Sequence, residues 1–316
     1  MGDTPISISR RAWIAGAGGA GLAAAGTGFY YNPPPFWRAI AGGWGRDIAP
    51  PPASPGIAVW GDRGLHVAWL GHATLLLKID GFTILTDPVF SDRAGLNFGP
   101  VTVGIKRLIA PALRLPDLPP IDLVLLSHAH MDHWDIPSLV QLESRKTEVV
   151  TAWSTSDLLR ASRYRRVREL RWGERAQAGA AEIRAIEVNH WGARMRTDRW
   201  RGYNGYLIES GRWRVLFAGD TADTDAFRAV RTRRGIDLAI MPIGAYNPWI
   251  RYHCTPEQAW RMGNDAGAGR FIPVHHQTFS LGREPRLEPI ERFRAAAGRQ
   301  QDRIALDRIG HELRLG

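Results

Sequence analysis

Cysteine is almost missing from this chain. The single one, Cys254, excludes an internal disulfide and any zinc site built from several thiolates. It does not fix a compartment, because a protein without disulfides folds in any of them. Blocks of lysine and arginine are missing too. The 41 basic residues are scattered, as over 163–175 and 194–201, so no segment reads as an arm dedicated to nucleic acid. No repeat of fixed period is visible. Strongly apolar runs are lacking: residues 13–31 just reach the length of a bilayer span, but their many glycines make a poor anchor. Acidic residues are in deficit, 31 against 41, which leaves a net charge of +10. The resulting pI near 10.4 favours polyanionic partners, among them anionic lipid headgroups. What remains is 316 residues, 44% hydrophobic with 13 Trp, enough to bury a large core.

The amino terminus suggests a destination. Ser9-Arg10-Arg11-Ala12-Trp13 holds an arginine pair, followed by a weakly apolar Gly/Ala-rich run over 14–27 and the small residues Ala23, Ala24 and Ala25. This is similar to a twin-arginine export signal, an address rather than part of a fold. The expected organisation is a signal or anchor over 1–31, a Pro-rich linker over 32–65 and a catalytic domain over 66–316. The expected location is periplasmic or membrane-associated. Pro33-Pro34-Pro35 and Pro50-Pro51-Pro52 punctuate the linker.

Short strand-like runs then follow in quick succession at 67–70, 73–79, 82–85, 121–126, 148–150, 167–170, 183–188, 203–209, 213–218, 238–241 and 271–274. Helices are predicted from 136–142, 225–234 and 288–297, with another starting at Thr255. There Thr255, Pro256 and Gln258 form the signature of a capping box with proline in the first turn. Residues 90–118 carry Gly and Pro with little periodicity and read as a loop over the site. Strand-rich runs punctuated by helices predict an α/β architecture of two packed sheets with helices outside.

Chemistry is concentrated just past the strands. Ser127-His128-Ala129-His130-Met131-Asp132-His133 follows the apolar run 123–126, and four metal-competent side chains so close together are hard to explain by packing. His190, Asp220, His275 and Asp87 each stand just beyond another apolar run. The order His-x-His-x-Asp-His, His, Asp, His resembles the metallo-β-lactamase fold superfamily, a four-layer αββα sandwich, over residues 66–315. By that resemblance His128, His130 and His190 would hold one Zn²⁺, and Asp132, His133 and His275 a second. Asp220 would bridge them, and other divalent first-row metals remain open. His275 is chosen over His276 on its spacing to Thr278 and Phe279. Asp87 and His72 are expected to orient ligands.

Longer blocks narrow the resemblance. Trp69-Leu70-Gly71-His72-Ala73-Thr74, Leu85-Thr86-Asp87-Pro88-Val89-Phe90, Asn189-His190-Trp191, Phe217-Ala218-Gly219-Asp220-Thr221 and Pro242-Ile243-Gly244-Ala245-Tyr246 resemble the N-acylphosphatidylethanolamine-hydrolysing phospholipase D family. The resemblance implies a binuclear zinc hydrolase that cleaves the phosphodiester of that lipid or a related phospholipid with a metal-activated hydroxide. It makes Asp132 and Asp220 catalytic, and His253 the group that protonates the leaving oxygen or holds the phosphate. Trp191, Trp249 and Tyr246 are candidates to line a lipid cleft. A phospholipid substrate and peripheral attachment to an anionic membrane surface are expected, and nucleic acid is not. The alternatives are a lactonase or phosphodiesterase of the same fold with a soluble substrate, a nucleic-acid processor, and a metal-stabilised binding protein without turnover.

Overall fold

Apolar runs without polar interruption form strands buried on both faces, and here they assemble into two sheets. The structure, a computed structural model, describes residues 43, 45–99, 101–195 and 197–316. The expected signal over 1–31 and the start of the linker lie outside the described residues. The first half of the catalytic unit supplies β1 (Leu65–Gly71), β2 (Thr74–Ile79), β3 (Phe82–Thr86), β4 (Arg93–Phe98), β5 (Val101–Lys106), β6 (Leu123–Leu126), β7 (Glu148–Ala152) and β8 (Arg166–Leu170). The second supplies β9 (Arg175–Ala178), β10 (Ala181–Ile186), β11 (Gly205–Ser210), β12 (Trp213–Phe217), β13 (Leu238–Pro242), β14 (Phe271–Val274) and β15 (Glu312–Leu315). One sheet runs β15-β1-β2-β3-β6-β7-β8, the other β14-β13-β12-β11-β10-β9, and β4 pairs with β5 alone. Helix α1 (Ile136–Gln141) follows β6, while α2 (Pro256–Asp265) and α3 (Glu288–Ala297) flank β14 in sequence.

Side-chain alternation defines the layers. Val215 and Phe217 of β12 join a core that also holds Leu75, Leu77 and Leu125 of the first sheet. Leu216, between them, joins Met262 of α2 and Phe293 of α3 in a second core. A strand's side chains alternate between faces, so one face of β12 meets the other sheet and the opposite face meets the helices. This is the expected α/β sandwich. Helix α2 begins as its signature predicts: Gln258 N donates to Thr255 Oγ1 at 3.3 Å, and Thr255 N donates to Gln258 Oε1 at 2.8 Å.

Several boundaries differ from the sequence expectation. The compact unit is Asp47–Gly316, so much of the supposed linker belongs to it. Ala49 N donates to Leu108 O, Ala110 N donates to Ala49 O, and the buried Trp60 donates its indole N–H to Glu312 at 3.0 Å. Prolines stiffen this segment but leave its other backbone groups able to pair. The loop expected over 90–118 contains the β4–β5 hairpin. Its glycines are the reason it was hard to see: Gly95 faces Gly104 across the ladder, and a Cβ on Gly95 would meet the Val103 carbonyl oxygen at 2.0 Å. Edge strands β9 and β15 are additional, and the helix expected over 225–234 is a 3₁₀ segment, Ala226–Val230.

Candidate metal centre

Topology brings the metal-competent residues to one end of each sheet. β1 is antiparallel to β2 and β2 to β3, while β3 and β6 are parallel, so β1, β3 and β6 share one direction. β10, β12 and β14 likewise share a direction in the second sheet. His72, Asp87 and Ser127 through His133 lie just beyond the C-terminal ends of the first three. His190, Asp220 and His275 lie beyond those of the second three. His72, Asp87 and His275 have φ of 51°, 32° and 63°, in the left-handed region that non-glycine residues rarely occupy. Such strain at three positions of one site is held in place by the packed sheets behind it.

Four overlapping groups of ligand atoms result among the described residues: Asp87 with His128 and His133, Asp220 with His253 and His275, and two larger ones. His128, His130, His190 and Asp220 bring one atom each within 4.8 Å of one another, and so do His72, Asp132, His133 and His275. Asp220 Oδ2 spans them, 3.1 Å from His133 Nε2 and 3.0 Å from His275 Nε2, and 3.9 Å from both His128 Nε2 and His190 Nε2. All seven residues expected as ligands therefore converge. His276 is in none of these groups; its buried ring lies against Trp69, centroid to centroid 4.9 Å. His72, expected only to orient ligands, stands among the second group with Nε2 2.9 Å from Asp132 Oδ2. His253 Nδ1 is 3.8 Å from Asp220 Oδ2, and its side chain is 12% exposed where those of His128, His133, His190 and His275 are 0–1%. His253 and His130 are thus the partly exposed histidines of the site.

The donor set fits divalent cations. Both carboxylate oxygens of the buried Asp220, His133 Nε2 and His253 Nδ1 have no hydrogen-bond partner, while His130 turns Nδ1 towards His128 Nε2 and His190 Nε2 at 2.8 and 3.2 Å. Imidazole nitrogens crowd the buried carboxylate without forming a well-aligned hydrogen bond, and divalent cations between these atoms would satisfy the carboxylate and the ring lone pairs together. Charge in the metal-free site follows burial and mutual repulsion. Burial, reinforced by neighbouring imidazoles, holds His128 well below its usual range and His130 at about 3. It likewise holds His190 at about 4, despite the pull of Asp220. Burial also lowers His275, but the Asp220 and Asp132 carboxylates outweigh it and raise that ring to about 9. Burial disfavours ionised Asp132 and Asp220, yet His133 and His275 beside them carry both carboxyls well below the usual carboxylate range.

The far sides of the His133, His128 and His190 rings are fixed. His133 Nδ1 donates to Asp87 Oδ2 at 2.7 Å, and Asp87 also accepts from Ser127 N at 2.7 Å and Ser127 Oγ at 2.6 Å. Ser127 Oγ in turn lies 2.8 Å from His128 Nδ1, and His190 Nδ1 donates to the Tyr252 carbonyl at 2.7 Å. Asp87 thus has the orienting role expected of it. Ser127 had no assigned role in the sequence, although it stands directly before His128. Arg194 was also missed: Nη1 donates to Ala129 O at 3.2 Å and Trp134 O at 2.8 Å, pinning both ends of the histidine-bearing loop. No sequence signal links residues 60 or more apart in this way. Of the aromatics considered for a cleft, Trp191 packs against His130 at 4.8 Å and Trp249 is exposed at the rim. Tyr246 is not a lining group, because it is buried with its hydroxyl donating to Glu288 at 2.7 Å.

Comparison with known proteins bears on the family and the fold. The family described as a β-lactamase superfamily domain matches residues 83–276. An uncharacterised protein of Mycobacterium tuberculosis strain H37Rv is 35% identical over 277 residues, covering 85% of this chain and 74% of its own length. The N-acyl-phosphatidylethanolamine-hydrolyzing phospholipase D 1 of Caenorhabditis elegans is 30% identical, covering 76% of this chain and 72% of its own. Among solved structures, an isothiocyanate hydrolase from Delia radicum gut bacteria superimposes with a TM-score of 0.63 at 19% identity, over 79% of this chain and 99% of its own.

Proposed function

The chain belongs to the β-lactamase superfamily and is a metal-dependent hydrolase of that fold, and from that premise we propose that it is a phospholipase D-type phosphodiesterase. Its substrate in this reading is an N-acylphosphatidylethanolamine or a related phospholipid. The observation that carries the reading is the pair of ligand groups joined at Asp220 Oδ2, in a chain 30% identical to a relative named for that reaction. One divalent cation, zinc or another first-row metal, would be held by His128, His130 and His190, and a second by Asp132, His133 and His275, with Asp220 shared. When bound, such ions lower the pKa of water and offset charge developing on phosphoryl oxygens.

The chain's own residues do the rest. Asp220 sets the separation of the two groups, and Asp87 and Ser127 keep the ring nitrogens aimed inward. His72 hydrogen-bonds Asp132 and holds that carboxylate in one rotamer. His253, opening outward beside Asp220, meets the phosphate or the departing headgroup oxygen. Hydrolysis breaks the bond from phosphorus to the ethanolamine oxygen. Water supplies the new phosphate oxygen and the proton taken by the leaving alkoxide, giving phosphatidic acid and an N-acylethanolamine. Export by the segment over 1–31 and work at a membrane surface belong to the same proposal.

The experiment mixes zinc-loaded protein with N-acylphosphatidylethanolamine vesicles and follows products by mass spectrometry. Both products should appear, and both should be lost in Asp220→Asn. Intact lipid beside metal-dependent cleavage of a soluble ester or diester would move the function to the lactonase or phosphodiesterase alternative.

A further inference from the structure

An exposed apolar track borders the centre on two sides. On one side stands the β4–β5 hairpin, a two-stranded sheet hydrogen-bonded to neither large sheet. Its inner face packs through Ala94 and Ile105 on Val89 and Phe279. The Phe279 ring lies 5.2 Å from that of His72, so the hairpin is one side chain away from the second ligand group. Its far end carries Phe98 and Val101, 62% and 56% exposed, followed by Val103. On the other side, residues 247–252 (Asn-Pro-Trp-Ile-Arg-Tyr) are all exposed, and Trp249 and Ile250 are each 47% so. This segment is anchored to the first ligand group, where the Tyr252 carbonyl accepts from His190 Nδ1 and the Tyr252 ring lies 5.7 Å from Trp191. The two sides are connected. Trp249 Nε1 donates to Leu281 O at 3.3 Å, and Leu281 packs in the same cluster as the base of the hairpin.

Charge along the track has one dominant sign. Arg93 and Lys106 stand at the hairpin base, and Arg251, Arg283 and Arg286 lie on the segments beside it. Against them are Asp92 and Glu284, and Glu284 is occupied by the backbone N–H groups of Ala245 and Asn247. Apolar and aromatic side chains at a tip with cations behind them match the layering of a bilayer interface, where acyl chains lie beneath anionic headgroups. Each strand of the hairpin pairs only the backbone groups that face its partner, so the outward-facing groups stay at headgroup level in water while the side chains of Phe98 and Val101 reach the acyl chains.

We propose that the tip of the β4–β5 hairpin and the 247–252 segment form a docking surface that seats the metal centre on an anionic bilayer. The proposal rests on the phospholipid reading above, since it explains how a substrate that never leaves a membrane reaches the ligand groups. It also differs from an amphipathic-helix anchor, because both contacting elements, a hairpin and a short connecting segment, are parts of the catalytic fold itself.

The test uses the full chain and vesicles of phosphatidylglycerol and phosphatidylcholine containing no N-acylphosphatidylethanolamine. Binding is thereby separated from turnover, and failure of one does not entail failure of the other. The only cysteine, Cys254, is buried, so Val101→Cys directs an environment-sensitive fluorophore to the tip. Its emission should shift to the blue on adding phosphatidylglycerol vesicles and be quenched by brominated acyl chains. The double variant Phe98→Ser/Val101→Ser should sediment with vesicles at least about tenfold more weakly, as expected when two apolar side chains lose their burial. Trp249→Ser/Ile250→Ser should do the same from the other side. Three results would overturn the proposal: a label already in an apolar setting before vesicles are added, as when another segment or a second copy covers the tip; a label that stays in water; or wild-type sedimentation of both double variants. Equal binding to pure phosphatidylcholine would overturn its anionic part.

Discussion

Replacing Asp87 by Asn tests whether the centre is held from behind. The carboxylate is fully buried and accepts three hydrogen bonds, from Ser127 N, Ser127 Oγ and His133 Nδ1, at 2.6–2.7 Å. An asparagine keeps the shape but offers one acceptor oxygen and an amide that only donates. Ser127 N meets Oδ1 while Ser127 Oγ and His133 Nδ1 share Oδ2, so an Asn oxygen kept on Ser127 N–H turns the amide towards His133 Nδ1–H, donor against donor, and the reverse flip turns it towards Ser127 N–H. A mismatch of that kind in a buried site costs about 1–3 kcal/mol. The ring escapes it by moving its proton to Nε2, the atom aimed at Asp220, and then has no lone pair there for a cation. Either route weakens metal binding by about 10–100-fold, the usual effect of losing a partner behind a ligating histidine, or about 1.4–2.8 kcal/mol. Competition against a chelator of known affinity, with metal counted by mass spectrometry, reads this directly. Unchanged affinity in a folded variant would refute the view that Asp87 fixes His133.

Three further outcomes follow from the same geometry. Arg194→Ala should leave two loop carbonyls unpaired and weaken metal retention by about tenfold, as loss of supporting hydrogen bonds does at other metal sites, checked by the same chelator competition. His275→Ala should lose bound metal while His276→Ala keeps most of it, because only His275 belongs to a ligand group; metal content of the two variants decides this. In the metal-free protein His275 is raised to about 9, so its ion pair with Asp220 stabilises the fold fully below the unfolded value near 6.5 and is lost as pH rises through about 9. Metal must displace that proton, so calorimetry in buffers of different ionisation enthalpy should show proton release on loading at pH 7–8 that declines above pH 9.

The ligand set was legible because each member is local to a strand end. A run such as 123–126 forces the chain to emerge at the sheet edge, and the next few residues are then presented together. Strand order and direction were not written in any one segment, yet they are what bring His128 to one end of the first sheet and His190, Asp220 and His275 to one end of the second. Supporting residues were less legible. Arg194 acts on carbonyls of residues 129 and 134, and a carbonyl has no sequence identity. The β4–β5 hairpin was hidden because its paired glycines give it the composition of a loop, and β15 because an edge strand needs only a weak pattern. The boundary before β1 was misplaced for a related reason: proline-rich sequence resembles a linker even where, as around Ala49 and Trp60, it is hydrogen-bonded and packed.

Asp220 is the residue on which the account of a shared two-metal centre turns, and metal stoichiometry tests it most directly. Purified protein reconstituted with zinc should carry two ions per chain. Asp220→Asn, with an unchanged circular dichroism spectrum, should carry one or fewer and lose most turnover. Two ions in the variant with near-wild-type activity, or a single ion in the wild type, would contradict it.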